Sequence, residues 1–203
     1  MNPIFRCFVL FLFTVGCVAE NYVDSKHTFK DDILKVKKVT ASFNSKPKLM
    51  SKWSDDTKPY LLLCDDFVSM SSAASAIRFW ENLGYEFGNT RIGDPLTECM
   101  SIDAPFSAIR VKLPTSDSGG SLKGKLAVTS TVKYIDTNTL HSATITIHNF
   151  AINKRYTLEH EIGHALGWGH VENVGHIMNP KWVNIGSKAY GVRKTDYHFL
   201  QDN

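Results

Sequence analysis

The stretch His160-Glu161-Ile162-Gly163-His164-Ala165-Leu166-Gly167-Trp168-Gly169-His170 decides the reading of this chain. On a helix, residues four apart share a face, one turn above the other. His160 and His164 therefore aim two imidazole nitrogens at one metal ion. Glu161 is one residue further, about 100° around the helix, where it reaches a bound water rather than the metal. Gly167 lets the chain leave the helix with positive φ, which other residues resist. The turned chain then brings His170 back as a third imidazole. Three protein ligands with a fourth position open to water mark a catalytic rather than a structural zinc site. Leu158, Ile162, Ala165 and Leu166 give the same helix an apolar face, which a solvated polar helix would not need.

Outward from this segment, the pattern alternates between strands and helices. Tyr60-Leu61-Leu62-Leu63-Cys64, ended by Asp65-Asp66, reads as a buried strand. In residues 71–83, Ala73, Ile77 and Trp80 fall at helical spacing, with Ser71 or Ser72 to cap and Gly84 to stop. Residues 105–113 alternate Ile109, Val111 and Leu113 with Ala108, Arg110 and Lys112, the pattern of a half-exposed strand. Residues 116–120 read as a loop. Residues 126–134 and 143–148 read as two further strands, the second with Ala143, Ile145 and Ile147 on one face. A long helix is expected from about Lys154. The order strand, helix, several strands, helix and C-terminal segment predicts an α+β fold, an α/β sandwich.

Around the histidines the chain resembles the metzincin clan of zinc peptidases, and within it the matrixins. The motif is followed by Val174-Gly175-His176-Ile177-Met178-Asn179-Pro180. Met178, eight residues after His170, is similar in spacing to the methionine of the matrixin Met-turn, an apolar floor under the zinc. Pro180-Lys181-Trp182 resembles the segment that walls the specificity pocket, with Trp182 in the place of a tyrosine. Gly124-Lys125-Leu126-Ala127 resembles the edge strand along which substrate lies. Asp196 to Gln201 resembles the start of the final helix. The resemblance covers roughly 59–203. It implies a twisted, mostly parallel sheet with an antiparallel edge strand, an active-site helix and a C-terminal helix. It also implies one catalytic Zn2+ held by His160, His164 and His170, with Glu161 as general base and acid. Substrate contacts would come from Leu126, Ala127, Pro180 and Trp182. Pro180 stands where related families carry a ligand tyrosine, so no tyrosine ligand is expected. The loops for calcium or a structural zinc do not match, and those ions are not expected. No cysteine-switch motif precedes Pro59.

The start of the chain, MNPIFRCFVLFLFTVGCVAE, has Arg6 as its only charge before Glu20. The apolar run over 7–19 is shorter than the about 20 residues of a membrane span. A positive start, a short apolar run and a small residue at Ala19 fit a secretory signal peptide over 1–19; the alternative is a buried N-terminal element. Thr14-Val15-Gly16-Cys17 loosely resembles a lipobox, so a lipoprotein anchored through Cys17 is the second localisation. Residues 20–58 are polar and lysine-rich and read as a leader or short pro-segment, ahead of a catalytic domain at 59–203. Cys64 and Cys99 either pair in an oxidising compartment or remain buried thiols.

Composition bounds the partners. Hydrophobic residues are 43%, charged residues 21% and the formal net charge is +3. That is a globular balance with no basic run joined to aromatics, so nucleic acid is not expected. The expected protein is a monomer acting on protein or peptide substrates. Two other readings remain: a zinc-binding module without catalysis, and a zinc hydrolase of cell-wall peptides. His27, His141 and His198 are expected at the surface; the spacing leaves His148 and His176 undecided.

Overall fold

The run Tyr60-Leu61-Leu62-Leu63 has apolar side chains at successive positions, so both faces of its strand must be covered. In the computed structural model, which describes residues 22–30, 47–115, 122, 124–134 and 137–199, this strand lies inside a six-stranded sheet. For residues 22–30 and 197–199 only the backbone is described. The strands are β1 (Tyr22–Lys30), β2 (Tyr60–Leu63), β3 (Arg91–Ile92), β4 (Ala108–Lys112), β5 (Lys125–Tyr134) and β6 (Leu140–Ile147), in the order β1-β5-β6-β4-β2-β3. Strands β3, β2, β4 and β6 are parallel; β5 is antiparallel to β6, and β1 is antiparallel to β5. The part from β2 to β6 is therefore the mostly parallel sheet with antiparallel β5 at its margin that the family resemblance implies. Strand β1, from the expected leader, is added outside it.

Leu61 and Leu63 enter the main core, while Leu62 packs with Ala104 and Ala108 on the other side. Strand β4 departs from its half-exposed reading. Arg110 is only 2% exposed. Its guanidinium donates to the carbonyls of Glu98 at 3.0 Å, Ser101 at 2.7 Å and Ile102 at 3.1 Å. These carbonyl acceptors offset part of the cost that normally keeps arginine outside, while Arg110 Nε meets no partner among the described residues. Cys64 and Cys99 form a disulfide, with Cα atoms 5.4 Å apart, tying the end of β2 to a π-helical turn at Pro95–Cys99.

Helix α1 (Met70–Glu81) buries Ala73, Ile77 and Trp80 as their spacing predicts, together with Ala76. Its cap is Ser69, not Ser71 or Ser72: the Ser69 hydroxyl accepts from the Ser72 N–H at 3.1 Å. The helix expected from about Lys154 begins at Thr157 as α3 (Thr157–Ala165), and a separate short helix, α2 (Asn149–Ile152), precedes it. Tyr156, with a left-handed φ of 66°, sets the start of α3. Helix α4 (Trp182–Ile185) follows, and a 3-10 turn at Lys194–Phe199 occupies the described part of the expected C-terminal helix. Among the described residues no helix is long and apolar enough to cross a membrane.

Residues read as the end of the leader also pack into the body. The Met50 N–H donates to the Gly167 carbonyl at 2.8 Å, and the Gly169 N–H to the Lys48 carbonyl at 2.9 Å. Buried Trp53 donates from its indole to the Ala165 carbonyl at 2.9 Å. The packed domain thus begins ahead of Pro59. Residues 1–19, with Cys7 and Cys17, and the loop at 116–120 lie outside the described residues.

Candidate metal centre

Helix α3 packs against β5, β6 and α1, and all its residues from Thr157 to Ala165 except Glu159 are buried. The expected four-residue spacing holds, and His160 and His164 lie with ring centroids 4.7 Å apart. The chain leaves α3 through Gly167 at φ 99°. A Cβ there would run into the Ser51 carbonyl, so close approach and backbone angle both call for glycine. The turn carries His170 back. Its Nε2 lies 3.1 Å from His164 Nε2, which is itself 3.1 Å from His160 Nε2. His160 and His164 are buried, and His170 is exposed.

The other ring nitrogens decide what these contacts are. His160 Nδ1 is 2.6 Å from the Ile177 carbonyl, and His164 Nδ1 is 2.7 Å from the Trp168 carbonyl. A carbonyl only accepts, so each Nδ1 carries the hydrogen and each Nε2 presents a lone pair. Lone pairs facing one another repel unless a cation lies between them. Three imidazoles with ligand nitrogens within 4.8 Å of one another suit one ion with Zn–N bonds of about 2.0–2.1 Å. The donor set, all nitrogen with no thiolate, fits zinc.

Glu161 is fully buried. Burial pushes its carboxyl up to about 8, and a hydrogen bond from the Thr129 hydroxyl works the other way. That hydroxyl meets Glu161 Oε2 and the Glu161 carbonyl. Oε1 is buried and meets no protein partner among the described residues. An unpaired buried carboxyl oxygen is costly, so it points to a group the protein chain does not itself supply.

Met178 is fully buried beneath α3, where a Cβ on Gly163 would strike its sulfur. The loop around it is tied to the ligands: Ile177 orients His160, and the Met178 carbonyl accepts from the Val171 N–H at 3.0 Å. Pro180 is half-buried. Trp182 donates its indole N–H to the Arg155 carbonyl at 2.7 Å, with the Lys154 ammonium 5.1 Å above its ring. This fixes Trp182 against the entry to α3. Leu126 and Ala127 are buried at the start of β5. Ala127 pairs with Phe29 of β1, so the expected open substrate edge carries a strand of the same chain.

The spacing could not supply Thr129, which meets Glu161 across 32 residues of sequence. Nor could it supply the carbonyls of Trp168 and Ile177, since main-chain acceptors have no residue type. His176 is buried by the Met-turn, its Nδ1 accepting from the Met178 N–H at 3.0 Å. His148 is half-buried and stacks on exposed Phe150, centroids 5.1 Å apart. His141 lies edge-on to Phe106 and Tyr134.

Three imidazoles, a buried glutamate and a methionine turn beneath them define a metallopeptidase centre. The matrixin family model matches residues 25–203, and the chain belongs to that family. Matrixins are zinc metallopeptidases, so zinc is the metal the family implies for this cluster. No curated protein and no solved structure gives a significant match.

Proposed function

We propose that the chain is a secreted zinc endopeptidase, with His160, His164 and His170 holding a single catalytic ion. The observation that carries this reading is the convergence of three imidazole Nε2 atoms beside a buried glutamate with one carboxyl oxygen unpaired. Zinc held by these imidazoles would supply a Lewis acid and lower the pKa of a bound water. Glu161 would serve as general base and acid, taking a proton at Oε1, the oxygen with no protein partner among the described residues, and returning it to the leaving nitrogen. Substrate lies extended along β5 near Leu126 and Ala127, held by main-chain hydrogen bonds. Pro180 and Trp182 flank its side-chain pocket, which favours bulky apolar or aromatic residues.

A zinc module without catalysis has no use for a buried, half-paired carboxyl beside its ligands. The discriminating protein is Glu161→Gln. It is expected to keep zinc by atomic absorption and to lose casein or gelatin hydrolysis by about 10²–10⁴-fold, the usual worth of a positioned general base. Undiminished hydrolysis by this variant removes Glu161 from the role. Wild-type hydrolysis is expected to stop with a chelator and return with zinc. Export through residues 1–19 belongs to the same reading; mass spectrometry of the exported chain is expected to find a start at Glu20 and no lipid on Cys17.

A further inference from the structure

Strand β1 stands where a substrate strand is expected to add. It runs antiparallel to β5 over its whole length, with Phe29 opposite Ala127, Thr28 opposite Val128 and His27 opposite Thr129. Thr129 is the residue whose hydroxyl meets Glu161. Between Phe29 and Lys30 the register shifts and skips Leu126. The pairing thus covers the part of β5 closest in sequence to both proposed substrate contacts. Among the described strands, β1 pairs with β5 alone and ends the sheet.

We propose that β1 is an intramolecular competitor, holding the substrate edge of β5 so that an extended peptide gains it only as β1 leaves. This rests on the reading that substrate adds to β5. Main-chain hydrogen bonds form with any sequence, so the leader and an extended peptide are interchangeable partners for this edge. The strand YVDSKHTFK has only Tyr22, Val23 and Phe29 as apolar residues. Few apolar side chains are on offer, and the hold that the structure shows is the backbone pairing with β5. An end strand of this kind peels away without opening the parallel part of the sheet.

Two full-length variants test the proposal, both in the Glu161→Gln background so that no peptide is cut. The probe is a fluorescein-labelled peptide of residues 20–31, read by anisotropy. Lys26→Pro with His27→Pro removes two adjacent N–H donors, one of which faces β5 whatever the hydrogen-bonding phase. It is expected to bind the probe at least about tenfold more tightly than the parent, the worth of one or two ladder bonds. Lys26→Cys with Ser130→Cys places two cysteines directly opposite one another. Its oxidised form is expected to exclude the probe and its reduced form to admit it, the same reductant leaving the parent unchanged. Equal probe binding by the parent and the proline variant, or by the oxidised and reduced staple, overturns the proposal. The two readings fail separately. Normal casein hydrolysis by the Glu161-containing chain with equal probe binding sinks only the competitor. No hydrolysis by any Glu161-containing chain, with the expected probe pattern, sinks only the peptidase.

Discussion

His176 shows how much a single side chain adds to the Met-turn. Its Nδ1 accepts the Met178 N–H at 3.0 Å, and its ring lies edge-on to Tyr190 at 5.0 Å. Burial pushes the imidazole down to about 4 from the ordinary 6.5. Between those two values the unfolded chain binds a proton that the folded chain refuses. Stability from this group is therefore complete above pH 6.5 and falls as the pH drops toward 4, by roughly 3 kcal/mol at most. His176→Asn keeps an acceptor for the Met178 N–H and cannot charge. Urea midpoints of chelator-treated protein are expected to fall less steeply from pH 7 to 4.5 in this variant than in wild type. At this scale the sequence foresaw that His160, His164 and His170 meet, because spacing along α3 and the turn after it decides which side chains converge. It left His148 and His176 undecided because burial depends on what packs over them. Thr129 stayed invisible because its partner lies on another element.

At the scale of elements, α3 owes its end to one residue. Gly167 takes φ 99° and sits against the Ser51 carbonyl. Gly167→Ala meets strain and collision together, and is expected to cost at least about 2 kcal/mol. Chemical denaturation would measure that loss, and a matching drop in bound zinc would show that His170 has moved. The helix itself was legible from periodicity, but its start was not. Tyr156 adopts a left-handed conformation that no residue-type rule assigns to tyrosine. The alternation in β4 was read correctly as a strand and incorrectly as half-exposed, because the carbonyls that receive Arg110 come from 98–102. The polar composition of 20–58 suggested a separate leader. Lys48 to Trp53 nonetheless join the body through main-chain bonds and one indole, neither of which shows in composition.

For the whole molecule, the Cys64–Cys99 bridge closes a loop with a sequence separation of 35 residues. Loop entropy gives such a link about 3–4 kcal/mol. The Cys64→Ala/Cys99→Ala protein is expected to lose stability of that order on urea unfolding. Its zinc content is expected to be unchanged under native conditions, since the bridge lies at the end of β2 and the histidines come from α3 and the turn after it. The α+β class was legible because alternating elements and short apolar runs restrict the possible layers, and the mostly parallel sheet followed from the family resemblance. The pairing of β1 with β5 was not, since a polar segment carries no mark of the edge it will join. The metal centre's orientation has a wider consequence. His160 and His164 are aimed by main-chain oxygens at 177 and 168, atoms that every amino acid supplies. Substitution at those two positions cannot delete the aiming bond. The centre can therefore tolerate drift in the residues that steer it, and its vulnerability to inheritance lies in the path of the chain, above all at its glycines.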